Sequence, residues 1–151
     1  EVRVNRIKEY AGNVPFMLTY GDSVADGNIA ELDEFHKSHG KLVTMSAYNP
    51  GQRFGVLDID ESGRINEFRE KTSGDGSLIN IGYMVCQPEF IDYIDGDETV
   101  LEKKPLETVA KLGELMAYKH TGFWQCMDTV REKEQLEKMW NNNNAPWKIW
   151  K

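Results

Sequence analysis

Carboxylates that directly follow short apolar runs are the residues of this chain best placed to do chemistry. The first lies in Tyr20-Gly21-Asp22-Ser23-Val24-Ala25-Asp26, immediately after Phe16-Met17-Leu18-Thr19. A carboxylate at the C-terminal end of a buried strand faces the crevice in which α/β sheets bind ligands, and Gly21 permits close approach of backbone to ligand. A hard cation such as Mg²⁺ needs oxygen ligands and typically accepts one or two protein carboxylates plus substrate phosphates. Asp22 reads equally as such a ligand or as a turn residue. Asp26 reads better as the cap of a helix starting at Ile29. The second run is Phe123-Trp124-Gln125-Cys126-Met127-Asp128-Thr129, where Asp128 again lies between a strand and a helix. Its pattern alone favours a helix N-terminal charge. Trp124 is either core or the wall of a sugar site, because sugars present apolar faces to aromatic rings.

The third run is Glu67-Phe68-Arg69-Glu70-Lys71. Glu70 could accept sugar hydroxyls while the Lys71 ammonium meets a phosphate, although a lone Glu–Lys pair is more often a solvated strand end. The glycines at 74 and 76 lack the spacing of a phosphate loop. His36, His39 and His120 are scattered, and no Ser-His-Asp or Cys-His set can be assembled.

These residues need strands and helices to hold them. A helical pattern over 4–11 stops at Gly12. A buried strand is expected over 16–20, then a helix over 29–39 with Ile29, Leu32 and Phe35 on one face and Gly40 as C-cap. Strands follow over 42–48, 54–59 and 64–68, the last two joined as a hairpin through Asp60-Glu61-Ser62-Gly63. Further expectations are a strand over 78–85, a short helix over 88–94, a helix over 105–112 with an early proline, and a strand over 115–120. The last helix, 129–140, opens on a Thr129-x-x-Glu132 capping box, and Trp147 and Trp150 of the tail should dock. Strands alternating with helices imply an α/β fold, single-domain over 1–151, with the hairpin making the sheet mixed.

The bulk properties narrow the partners. A net charge of −7 disfavours nucleic acid. No apolar run reaches the length of a membrane span, and there is no signal-peptide pattern. Cys86 and Cys126 lack a zinc-ligand spacing and are expected to be reduced, as in a cytoplasmic protein. The chain opens on Glu1 and enters a helical pattern at once, which suggests a piece of a longer protein.

Several blocks occur in one order: FMLTYGDSVAD (16–26), Arg53-Phe54-Gly55, Phe68-Arg69-Glu70-Lys71, Ile79-Asn80-Ile81-Gly82, GFWQCMDT (122–129) and Ala145-Pro146-Trp147-Lys148. Together they resemble the sugar-1-phosphate nucleotidyltransferases, in particular glucose-1-phosphate cytidylyltransferase, across nearly the whole chain. The resemblance implies a Rossmann-like α/β/α fold and formation of CDP-glucose and pyrophosphate from CTP and glucose 1-phosphate. It implies that Asp22 and Asp128 hold Mg²⁺, that Glu70 binds glucose hydroxyls and Lys71 the sugar phosphate, and that Gly55, Asn80, Tyr20 and Trp124 line the sugar pocket. It also implies a homo-oligomer. Three positions depart from the pattern: Thr72 follows Lys71 in place of proline, Ile81 replaces a glycine, and Cys126 replaces a proline. The family's Gly-Gly-x-Gly-Thr-Arg segment does not occur here, so the chain is expected to be the C-terminal sugar- and metal-binding part and inactive alone. A UTP- or dTTP-using relative, and a non-catalytic sugar-phosphate-binding regulator on the same scaffold, remain as alternatives.

Overall fold

A computed structural model describes Tyr10 and residues 12–50, 56–59, 65–69 and 78–150, with backbone alone for 56–59 and 65–69. The helix expected over 4–11, the hairpin turn at 60–63 and the loop at 73–76 lie outside the described residues.

Among the described residues the main sheet has four strands, in the order β1-β6-β3-β7. These are β1 (Phe16–Thr19), β3 (Val43–Tyr48), β6 (Ile79–Cys86) and β7 (Leu115–His120). β6 runs antiparallel to both of its neighbours, and β3 pairs parallel with β7. So β1, β3 and β7 point the same way, and their C-terminal ends share one edge of the sheet with the start of β6. Two short strands that were not expected, β2 (Ser23–Ala25) and β8 (Trp124–Cys126), form a ladder of their own. The hairpin strands β4 (Val56–Ile59) and β5 (Ile65–Arg69) also form a separate sheet. The expectation that the hairpin mixes the sheet is therefore corrected. The mixing comes from β6, which returns between β1 and β3 against their direction.

One face of the sheet carries the core. Val43, Met84 and Cys86 pack against Phe90 and Ile91 of a 3-10 segment (Pro88–Tyr93), Leu101, and Leu106 and Val109 of helix α2 (Lys104–Lys111). All are at most 5 % exposed, and each such aliphatic or aromatic side chain contributes roughly 1.5–3 kcal/mol by leaving water. Burial pushes the Cys86 thiol up to about 12, which keeps it protonated. It and Cys126 are both free.

Helix α1 (Ile29–His39) covers the opposite face. Its buried stripe is Leu32 and His36, an i, i+4 pair, whereas Ile29 is 55 % exposed. The face expected from Ile29, Leu32 and Phe35 is thus rotated toward His36. A histidine replaces an apolar residue there because the sheet offers it polar partners. Gln87 Nε2 lies 3.0 Å from His36 Nε2, and His36 Nδ1 lies 2.8 Å from Thr44 Oγ1. Thr44 Oγ1 in turn lies 2.8 Å from His39 Nε2, while Lys41 N donates to His39 Nδ1 at 3.0 Å. With Gln87 donating to one ring nitrogen and Lys41 to the other histidine, both imidazoles are held in neutral tautomers. Gly40 ends the helix at φ 64°. Among the described residues no helix is long and apolar enough to cross a membrane.

The histidine network sets a pH dependence. Burial, then the neighbouring His39, lowers the His36 pKa below 6.5, and burial, then Lys41, lowers that of His39. Below pH 6.5 the unfolded chain therefore binds more protons than the folded one, so stability is complete above that pH and falls as pH drops below it. We expect the urea midpoint to fall between pH 7.5 and pH 5.5, and to fall less in His36→Gln. Equal midpoints for the wild type at the two pH values would contradict the neutral network.

Candidate active site

The β2–β8 ladder carries at one end the two aspartates whose roles the sequence left open. Ser23 pairs with Cys126 and Ala25 with Trp124. One step beyond the ladder, Met127 N donates to Asp22 O at 2.7 Å. Asp22 and Asp128 thus sit at the same end of the two strands, and both are exposed. At the other end Asp26 N donates to Phe123 O at 3.2 Å.

Asp128 is not the cap of the last helix, α3 (Val130–Asn141). Thr129 is, with its hydroxyl accepting from Glu132 N at 3.3 Å. Glu132 closes the capping box by accepting from Thr129 N at 2.9 Å, and it also accepts from Asp128 N at 3.1 Å. Its hydrogen bond from Thr129 is the main reason its pKa is lowered. Cys126, Asp128 and Glu132 lie close enough for a common ion, but Glu132 is already engaged by backbone donors. The Cys126 thiol is pushed up by burial first and then by Asp128, so it is a neutral sulfur beside hard oxygens. Asp128 is the member of this group that the cap leaves facing solvent.

Tyr20 joins β1 to β6. Its N–H donates to Gly82 O at 2.9 Å, and its ring lies against Gly82, where a Cβ would come within 2.6 Å of the ring carbons. Gly82 has φ +81°, so glycine is required there on both counts. The Tyr20 hydroxyl accepts from Asn80 Nδ2 at 3.2 Å and donates to the Glu102 carboxylate. Burial, then Glu102, raises the phenol pKa. Asn80 Oδ1 accepts from Gly82 N at 2.8 Å. Trp124 sits at the same edge of the sheet, its ring centroid 5.7 Å from that of Tyr48 at the end of β3. Trp124 Nε1 is buried without a hydrogen-bond partner among the described residues, as is Ser23 Oγ.

The carboxyl ends of β1, β3 and β7 thus gather two exposed carboxylates, an oriented amide and an aromatic side chain. The family model for nucleotidyl transferases matches residues 3–129. The chain belongs to the nucleotidyl transferase family. Glucose-1-phosphate cytidylyltransferase of Salmonella typhi is 50 % identical over 149 residues, 98 % of this chain and 58 % of the relative. The protein of the same name from Salmonella typhimurium (strain LT2) matches with the same identity and coverage. The chain therefore spans 58 % of the length of these curated relatives. A solved structure from Bacillus anthracis, assigned as a glucose-1-phosphate thymidylyltransferase and bound to sucrose, has a TM-score of 0.66 at 17 % identity. It covers 100 % of this chain and 62 % of its own, and at that identity it speaks for the fold alone.

For a nucleotidyl transferase the sequence-derived set divides cleanly. Asp22 and Asp128 reach the same end of the β2–β8 ladder, and Tyr20 and Asn80 touch. Trp124 reaches the same sheet edge through Tyr48. Gly55, Glu70 and Lys71 lie outside the described residues. Asp26 is corrected. It does not cap α1, because Asn28 immediately precedes the helix and its Oδ1 accepts from Ala30 N at 3.0 Å and Glu31 N at 3.3 Å. Asp26 instead accepts from Phe123 N at 2.7 Å and lies 3.3 Å from His120 Nε2, packed so closely on Gly122 that a Cβ there would meet Oδ1 at 2.1 Å. Sequence reasoning missed Glu102, for which no local signal exists. It also missed Asn28, whose position beside Ile29 was the available signal.

Asp26→Ala should cost roughly 1.5–3 kcal/mol, the usual loss for a hydrogen bond to a charged group, and Asn28→Ala about 1 kcal/mol. Urea unfolding of the two variants checks this. A neutral Asn28→Ala would restore Asp26 as the cap.

Proposed function

We propose that this chain carries the sugar- and metal-binding side of a glucose-1-phosphate cytidylyltransferase, which forms CDP-glucose and pyrophosphate from CTP and glucose 1-phosphate. The observation that carries the reading is the juxtaposition of Asp22 and Asp128 at one end of the β2–β8 ladder. The 50 % identity to the two Salmonella cytidylyltransferases supports the choice of sugar and base.

The donor chemistry fits a magnesium ion. Asp22, just before β2, and Asp128, beyond the end of β8, offer exposed hard oxygens, whereas Glu132 is held by the helix cap and Cys126 remains a thiol. In this reading Asp22 and Asp128 hold the ion. When bound, it offsets charge between the two polyanionic substrates, which is the main barrier to in-line attack by the sugar phosphate on the α-phosphorus. Lys71 adds a cation for the sugar phosphate, and Glu70 accepts sugar hydroxyls, on the strength of their motif. Asn80 has its Oδ1 and one Nδ2–H engaged, so its second N–H donates to the ligand. Trp124 presents its face to the sugar, and Gly55 and Tyr20 complete the pocket. No side-chain nucleophile is required. The catalytic contribution is positioning and charge.

The test uses the protein in the longest form that its gene encodes, with CTP, glucose 1-phosphate and Mg²⁺, and follows CDP-glucose by chromatography. Asp22→Asn and Asp128→Asn should each lower kcat by about 10²–10³, the usual loss for a group stabilising transition-state charge. UTP and dTTP run in parallel decide the base. Unchanged activity in both variants would remove the metal assignment. Glucose 1-phosphate binding with no turnover and no dependence on Mg²⁺ would make the protein a regulator.

A further inference from the structure

Glu102 is an exposed residue on the turn that leads into α2, far in sequence from every block that carries the family resemblance. Its backbone is nonetheless fixed. Leu101 beside it is fully buried in the core cluster, and Leu106 N donates to Leu101 O at 3.1 Å. The Glu102 side chain meets the Tyr20 hydroxyl. Tyr20 is held from behind by Gly82 and packs on the same core cluster.

The hydrogen bonds run in one direction. Gly82 N–H can only donate, and it donates to Asn80 Oδ1. Asn80 must therefore turn Nδ2 toward Tyr20, and it donates to the phenol oxygen. A carboxylate only accepts, so the phenol proton goes to Glu102. Each end of the chain is a one-way group, and the two ends agree. The Gly82 end decides which amide atom faces Tyr20, and the Glu102 end keeps the phenol oxygen an acceptor for it. Without an acceptor at Glu102 the phenol proton is at liberty to turn toward Asn80, and the amide loses its second anchor.

We propose that Glu102 is a positioning residue for sugar-phosphate binding, polarising the chain Gly82–Asn80–Tyr20–Glu102 so that Asn80 presents a fixed N–H donor to the ligand. Glu102 acts through Tyr20 and Asn80 and does not itself touch the substrate. The sugar-phosphate part of this rests on the cytidylyltransferase reading above. The orientation of Asn80 does not.

The experiment compares Glu102→Gln, Tyr20→Phe and the double variant in the full-length protein. Glutamine keeps the shape of Glu102 but can donate as well as accept. Because Glu102 is exposed, E102Q is expected to fold with a melting temperature close to the wild type. E102Q should raise the KM for glucose 1-phosphate about tenfold, a usual size for coupling between contacting residues, with kcat and the KM for CTP within about threefold. In Y20F, adding E102Q should change nothing further. A wild-type KM in E102Q, equal changes in both KM values, or full additivity on Y20F would each overturn the proposal. A second readout is independent of activity. The Asn80 side-chain amide, recognised by its loss in Asn80→Asp, should give two well-separated proton resonances in the wild type and move toward solvent-exposed amide values in E102Q. No change there overturns the polarised chain. If that change is seen but the wild type neither binds nor turns over glucose 1-phosphate, the cytidylyltransferase reading fails while the Asn80 orientation stands.

Discussion

A three-pair antiparallel ladder, Ser23–Ala25 against Trp124–Cys126, is the constraint on which the site depends. It joins the chain just after β1 to the chain just before α3, segments at opposite ends of the described fold. Short ladders are marginal alone, so this one needs its ends tied. Asp22 O receives Met127 N at one end. At the other, Asp26 satisfies the Phe123 N–H inside a turn where Gly122 leaves room for its carboxylate. If Asp26 lost that role, the register would be the first thing to loosen, and with it the placement of Asp22 and Asp128 at one end of the ladder. Asp26 is therefore structural in a way that resembles capping but acts on a turn.

The fold was legible where one face of an element is buried and the period is strict. Strand 115–120 and helix 29–39 match their expected bounds, and the capping box at Thr129 is present as read. The pairing was not legible. Nothing in the residues of β6 says that it returns antiparallel between β1 and β3, because pairing is decided by which edges are left open. The β2 and β8 strands escaped because three residues are too few to show a period. The buried face of α1 was misread because His36 counts as polar in any pattern, while the sheet beneath it supplies Thr44 and Gln87 as partners. Of the proposed site, Asp22, Asp128, Tyr20, Asn80 and Trp124 were named from ordered motifs. Glu102 could not, since its partner is 82 residues away and an exposed glutamate on a turn is ordinary.

Electrostatics gives the carboxylate pair its meaning. The chain is acidic, with a net charge of −7, and the proposed substrates are polyanions. Two unit charges 4 Å apart interact by about 1 kcal/mol in water and about 4 kcal/mol at the effective dielectric of a protein surface. Two more carboxylates facing a phosphate would therefore oppose binding if nothing lay between them. The same residues become favourable once a divalent cation is shared by both sides. In the proposed reading, Asp22 and Asp128 therefore act with that cation and not without it.

The helix cap beside Asp128 decides which carboxylate is available. Glu132 and Asp128 both stand near the N-terminus of α3, where negative charge is favoured. Had Asp128 taken the backbone donors, the helix would have engaged the carboxylate that the proposed site needs. Thr129 and Glu132 take them instead, and Glu132 even binds the Asp128 backbone N–H. Satisfying the helix from within lets Asp128 stay fixed in position while its oxygens face outward. Cys126, where the related pattern has proline, adds a thiol that burial and the neighbouring carboxylates keep protonated. It can donate to an oxygen of this group without competing as a thiolate ligand. The cap thus divides the two acids, Glu132 holding the helix and Asp128 staying exposed, and that division is what the proposed role of Asp128 requires.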